Sequence, residues 1–465
     1  MSFLKLLHPN LTSGSIVKSL IYFTIPLAIS FIFQQFYNAV DTIIVGHFLG
    51  EESLAAIGSC VAVFELLVGF GNGFGNGLSI VAARAYGAND IPRLKRITAA
   101  SFFITAAVSI IIMVTGHLTL RPLLSFLGTP ENIIESAYSY IHLIALFCSV
   151  LFAYNLFSGI LRAIGNSFMP LVFLIISSLL NIVMDIVLIV HFSLGVRGTA
   201  IATVIAQGIS AFLCLIYMKR RAPELMPAPE SFRPDINLYR ELSTQGLSMA
   251  LMSAIVSSGS VILQSPINSF GTSIIAGHIS ARKIFVLTII PMITLGSASA
   301  TFVSQNLGAN KIDRIKKGVR AANIMCVIWG SLCTLIIPFT ARRLIAAISG
   351  SSNAEVLDYG AKYITFMQPF YAVLGILFVS RNSLQGMGSK ILPLFSSLIE
   401  LLGKILFTLV IIPLTGIWGI IACEPLIWCA MTIQLVAAYM NHKTFRKQES
   451  SPSSASILGN NAAIY

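Results

Sequence analysis

The sequence predicts an all-α polytopic membrane protein: twelve transmembrane helices in two pseudo-symmetric six-helix lobes around a central cavity. Three observations carry that prediction. The 465 residues are 56% hydrophobic and only 10% charged, whereas a soluble domain carries about 25% charged residues. Apolar runs long enough to cross a bilayer recur along the chain, and about 20 residues suffice for one crossing. The second half of the chain also echoes the first.

The spans fall at about 16–48, 53–82, 97–120, 132–160, 167–191, 195–218, 240–267, 272–305, 318–340, 355–384, 391–413 and 417–441. Several are longer than one crossing requires, so they tilt, bend or extend past the lipid. Span 1 contains Pro26, and Pro291 lies in span 8. A proline removes a helix hydrogen bond and bends the axis. Span 2 carries GFGNGFGNG at 69–77. No strand precedes it and no GxxxxGK[ST] occurs, so it is read as small residues for close helix contact, not as a phosphate loop. Residues 1–219 form the expected N-terminal lobe. Pro and charge dominate 220–239, the interlobe linker. Residues 240–447 form the C-terminal lobe, and the Ser- and Asn-rich 448–465 reads as a disordered tail.

The internal repeat is explicit. AYGANDIPRLKR (85–96) answers NLGANKIDRIKK (306–317), RAIGNSFMP (162–170) answers QGMGSKILP (385–393), and GVRGTAIAT (195–203) answers GIWGIIACE (416–424), all at offsets of 221 to 223. VGH (45–47) is also paired with AGH (276–278). That pairing puts Gly271 or Phe270 near the place of Asp41, and His47 and His278 in related places. Each half has an even number of spans, so both halves insert the same way round, about an axis along the membrane normal.

The net charge is +12. In a soluble chain that would suggest nucleic acid; here it serves topology and anionic lipid. Most Lys and Arg fall in the segments that lie inside when both termini are cytoplasmic, and few outside: Arg121, Arg197, Arg282, Lys283, Arg342, Arg343 and Lys362. The positive-inside rule then places both ends in the cytoplasm, in the plasma membrane. The seven cysteines form no CxxC pair and read as small core residues. One chain holds both lobes, so a monomer is expected. No cofactor and no metal-ligand spacing is read, and no paired enzymatic motif appears.

Polar residues inside apolar spans are where chemistry is expected, because a charge at the bilayer centre costs roughly 2.5–3.5 kcal/mol on insertion scales. Asp41 lies in span 1. Asn181 and Asp185 lie one turn apart on span 5, and Thr203 lies on span 6. Two carboxylates, a carboxamide and a hydroxyl make an all-oxygen site suited to protons or to a hard cation such as sodium. The bland alternative is a polar pair satisfied within the bundle. In the second half Lys404 and Thr408 stand where Asn181 and Asp185 stand, and Glu424 stands where Thr203 stands. Glu400, Lys404 and Glu424 read as a neutralised network, with structural pairing and substrate contact both open. Glu65, in span 2, reads as a lone buried carboxylate that could meet a cationic substrate.

NAVDTIIVGH, YGAND.PRLKR with its echo LGANK.DRIKK, and NIVMD together resemble the multidrug and toxic compound extrusion transporters. The resemblance covers all twelve spans. It implies secondary-active export of small organic, often cationic, compounds, driven by proton or sodium entry. One branch of that family binds its coupling ion in the N-terminal lobe through residues that Asp41, Asn181, Asp185 and Thr203 match. The same likeness implies supporting roles for Tyr37, Tyr140 and Asn155, and a helix bend at Pro26. Another branch also uses acids on spans 7 and 10; here LSMALMSAIVSSGSVIL and YITFMQPFYAVLGILFVS contain none, which argues against an ion site of that kind. Protons are preferred over sodium, since two neighbouring aspartates offer a protonation switch. The competing readings are a lipid-linked precursor flippase of the same superfamily and a membrane channel.

Overall fold

The structure is a computed structural model that describes residues 9–445. Helix α1 (Ile16–Gly87) is 72 residues long and leaves helical dihedrals at Gly50 alone, with φ 80° and ψ −176°. Its arms, 16–49 and 51–87, are the first two spans. They are followed by α2 (Ile91–Phe126), α3 (Glu131–Leu146), α4 (Cys148–Ala163), α5 (Phe168–Ile186) and α6 (Val196–Arg221). The second half runs α7 (Ile236–Asn268), α8 (Thr272–Gly308), α9 (Ile312–Ser349), α10 (Ala354–Met367), α11 (Tyr371–Gly386), α12 (Ile391–Leu406), α13 (Ile412–Thr415) and α14 (Ile417–Met440).

With α10 and α11 counted as one span, and α12 and α13 as another, ten segments are long and apolar enough to cross a membrane, and α3 with α4, bent by 47°, makes one more. The break at Gly50 divides the longest helix, so the described chain contains twelve spans. The helices start where local chemistry allows it. Asp90 accepts from the Arg93 amide, Asp235 from Asn237 and Leu238, and Asn353 from Glu355. Such caps satisfy amides that lack an intrahelical partner.

The two halves repeat in geometry as well as in letters. Gly271, between α7 and α8, has φ 91° and ψ 168°, close to Gly50. Asn89 and Asn310 both take positive φ in the two GAN turns, at 57° and 56°. The bend between α3 and α4 is matched by the 3-10 turn Gln368–Phe370 between α10 and α11. Both α5 and α12 end on a π turn, Val187–His191 and Phe407–Ile411.

Gly50 and Gly271 correct one pairing. VGH lies before the first break and AGH after the second, so that match of two letters is accidental. Counting back nine residues from each glycine puts Ile262, not Gly271 or Phe270, opposite Asp41. His47 and His278 are therefore unrelated. His278 is buried against Tyr359 and Tyr363.

The lobes meet along the later half of 51–87. A Cβ on Gly73 would stand 2.5 Å from the Met249 carbonyl oxygen, and one on Gly77 would stand 2.6 Å from Gly246 Cα. The glycine run is thus a helix-contact surface. At its end Ser304 donates to the Ile80 carbonyl at 2.6 Å, and Gln305 donates to Ala163 at 2.7 Å. Glu241 pairs with Arg84 at 3.2 Å and Arg93 at 3.1 Å. Among the described residues, no hydrogen bond or ion pair joins the lobes at the Gly50/Gly271 end.

Between the lobes, α6 runs on to Arg221 and α7 begins at Ile236, so the expected linker at 220–239 is helical at both edges. Its middle forms two 3-10 turns, Pro223–Leu225 and Pro229–Phe232. The expected tail at 448–465 lies outside the described residues. All seven cysteines are free, and six are buried.

Candidate functional site

Four elements of the first lobe converge on one place. The arm 16–49 brings Tyr37 and, one turn later, Asp41. Helix α3 brings Tyr140, α5 brings Asn181 and Asp185, and α6 brings Thr199 and Thr203. The break at Gly195 starts α6 beside the end of α5, where a Cβ on Gly198 would stand 3.3 Å from Leu188. A cavity of about 270 Å³ is lined by Tyr37, Asp41, Glu65, Tyr140, Thr199 and Thr203, among others. Asn181 and Asp185 lie behind this surface, 3% and 0% exposed.

The hydrogen bonds of this group are incomplete. Asp41 Oδ1, both oxygens of Asp185, both terminal atoms of Asn181 and the Thr199 hydroxyl are buried without a partner. Asp41 and Asp185 nevertheless lie within side-chain hydrogen-bonding reach of each other. Two ionised carboxylates are both acceptors, so they cannot bond directly. A shared proton, or a small cation among these oxygens, would complete the pair. Buried polar atoms left this way require an explanation, because each costs about 1–3 kcal/mol. The π turn that follows Asp185 departs from regular helix at the same level, as such turns often do at functional sites.

Thr199 was missed in the sequence. Its signal was available: it stands one turn before Thr203, on the same face of α6. Asn155 is not brought into this cavity. It lines a separate cavity of about 150 Å³ walled by residues of both lobes, and its Nδ2 donates to the Leu151 carbonyl at 2.9 Å. The dihedrals of the first arm stay helical through Pro26. Ser30 donates to the Pro26 carbonyl at 2.8 Å.

Glu65 is exposed on the cavity wall, not buried. The charge that acts on it most comes from the opposite lobe, Arg282. Arg282 was assigned to an outer segment in the sequence. It sits ten residues inside α8, with Nη1 2.7 Å from Glu424 Oε2. That placement also changes the network of the second lobe. Lys404 Nζ lies 3.0 Å from Glu400 Oε1 and 4.0 Å from Glu424 Oε1, and Arg381 lies 3.8 Å from Glu400 Oε2. Three cations thus face two carboxylates, so the group is net positive rather than neutralised. Arg282 and Arg381 come from other helices, and neither was visible from the i, i+4 spacing of Glu400 and Lys404.

The MatE family model matches the chain twice, over residues 26–187 and 248–410. The chain belongs to the MatE family. The double match falls on the two lobes and repeats the offset of 222 to 223. Curated relatives of this MatE protein include the probable multidrug resistance protein YoeA of Bacillus subtilis, 26% identical over 84% of this chain and 85% of that protein. The multidrug export protein MepA of Staphylococcus saprophyticus is 22% identical over 91% and 94%. Among solved structures, a MATE in the bent conformation aligns with TM-score 0.84 at 21% identity, over 97% of this chain and 100% of that one. An outward-facing multidrug resistance MATE family transporter aligns at 0.81 and 21%, over 97% and 98%. At these identities the solved structures establish the fold. The chain is a multi-pass membrane transporter of two six-helix lobes.

Proposed function

We propose that this MatE protein is a cation-coupled antiporter that exports small organic, lipophilic cationic compounds by alternating access, with protons favoured over sodium. The observation that carries the proposal is the Asp41–Asp185 pair: neighbours on two helices, Asp185 buried and Asp41 half-buried on the cavity wall, without a hydrogen-bond donor between them. A proton there satisfies both acids at once, and a sodium ion would use the same oxygens with Asn181, Thr199 and Thr203. Asp41 and Asp185 stand on different helices, so filling or emptying the site moves the 16–49 arm against α5. With both termini cytoplasmic, the closed Gly87/Gly308 end is the inner one, and the lobes open outward. Glu65 and Asp41 give the cavity an acidic wall toward a cationic substrate. Ion and substrate that favour opposite states displace one another, as reciprocal linkage requires.

The test is transport of a fluorescent lipophilic cation in proteoliposomes under a proton or a sodium gradient, imposed separately. Transport lost in both Asp41→Asn and Asp185→Asn, under one gradient only, supports the site and identifies the ion. Transport that survives both substitutions makes the pair structural. The flippase reading gains one observation, the net-positive group around Lys404. Its outward member, Arg282, is already held by Glu424, which leaves the export reading better supported.

A further inference from the structure

Lys404 is 2% exposed and has no role in the N-lobe chemistry. Its ammonium is held in a specific way. The two carboxylates that clamp it divide their oxygens: Glu400 and Glu424 each turn Oε2 toward an arginine and Oε1 toward Lys404. The repeat identifies the place. Pro170 and Pro393 open matching helices, and eleven residues later stand Asn181 in one lobe and Lys404 in the other. Glu424 stands at the position of Thr203. The opposite wall has made room. Gly259 lies twelve residues before Gly271, as Asn38 lies twelve before Gly50, and a Cβ on Gly259 would come 3.0 Å from Lys404 Cδ. Where Asn38 lines the cavity of the first lobe, the second lobe admits the stem of a lysine.

We infer that Lys404 is a tethered cation. Its ammonium fills the place in the C-lobe that is repeat-related to the cation site of the N-lobe. The C-lobe therefore takes up no exchangeable ion, and only the N-lobe cycles. The inference rests on the N-lobe reading for its comparison. Its direct consequence does not: with Lys404 gone, Glu400 Oε1 and Glu424 Oε1 face an empty, lysine-sized space and accept a small external cation.

The experiment is thermal unfolding of the purified full chain in the Asp41→Asn background, with propylammonium, sodium or bulky choline at equal ionic strength. Asp41→Asn with Lys404→Ala is expected to melt lower than Asp41→Asn alone. Propylammonium should then raise its Tm saturably by about 2–4 °C. Choline should do nothing, and Asp41→Asn alone should not respond. No propylammonium response, or an equal one with Lys404 present, would overturn the inference. A second measurement needs no lysine variant. Asp41→Asn/Asp185→Asn should show no saturable stabilisation by sodium, and stabilisation there that vanishes on adding Glu424→Gln would also overturn it. Neither readout uses transport, so failure of the N-lobe reading shows in the transport assay and not here.

Discussion

Gly87 and Gly308 meet backbone to backbone where the two lobes close. A Cβ on Gly87 would be driven into the carbonyl oxygen of Gln305, and one on Gly308 into that of Arg84. The two glycines are repeat mates at an offset of 221, so the crossing lies on the pseudo-twofold axis. Backbone atoms cannot rotate away as a side chain can. Gly87→Ala or Gly308→Ala is therefore expected to disfavour the state described here by about 1–3 kcal/mol. That is roughly a 5- to 150-fold change in the ratio of the two end states. Pulsed EPR distances between labels on the two GAN turns should lengthen in both variants. Unchanged distances would mean that the crossing relaxes without separating the lobes.

Gly50 and Gly271 make a separate test, because nothing lies within 4 Å of a Cβ built on either. Only backbone strain is at stake. With φ near 80–91° and ψ near 180°, an alanine would occupy a region that essentially glycine alone visits, at about 1–3 kcal/mol. Gly50→Ala and Gly271→Ala should lower Tm by similar amounts. The two positions share no partner, so the double variant should lose the sum. A much smaller loss at one of them would show that its lobe can reshape the turn.

These glycines also show what could be read from the letters alone. Spans were legible because a bilayer demands long apolar runs, and Asp41, Asn181 and Asp185 stood out against that background. Repeat register was legible where several residues matched in sequence, as at the GAN turns. It failed at VGH and AGH, where two letters matched without a shared turn. Arg282 was misplaced because an arginine near a span end looks like a loop residue. Its partner, Glu424, is 142 positions away, and no local spacing announces such a pair. An apolar helix predicts a buried Glu65, yet a lobe that opens on a cleft exposes residues that a closed bundle would hide.

Glu241 is the hinge of a three-residue clamp between the lobes. Its two oxygens reach Arg84 and Arg93 separately, and its side chain is 28% exposed. Partly exposed pairs of this kind contribute about 0.2–1 kcal/mol each and weaken with salt. Glu241→Gln should shift the ends toward separation modestly, by less than either alanine at the glycine crossing. It should also remove most of the salt dependence of that equilibrium. EPR distance distributions at low and high salt, in wild type and variant, read both effects. Salt dependence that persists undiminished in Glu241→Gln would place the screened charges elsewhere.

Glu65 lines the same cavity as Asp41 but has no ion-pair partner of its own within 4 Å among the described residues. On the proposed export of cations, Glu65 is expected to meet the substrate's charge, and Asp41 the coupling ion. Glu65→Gln keeps the shape and removes the charge. Apparent KM for a lipophilic cation should rise about 5- to 30-fold, equivalent to roughly 1–2 kcal/mol. KM for an uncharged substrate of similar size should stay nearly constant. Ion coupling, read as the gradient dependence of the residual transport, should survive, in contrast to Asp41→Asn. Equal losses for charged and uncharged substrates would assign Glu65 to the shape of the cavity. Loss of coupling would make it part of the ion site, joined to Asp41 across the cavity they share.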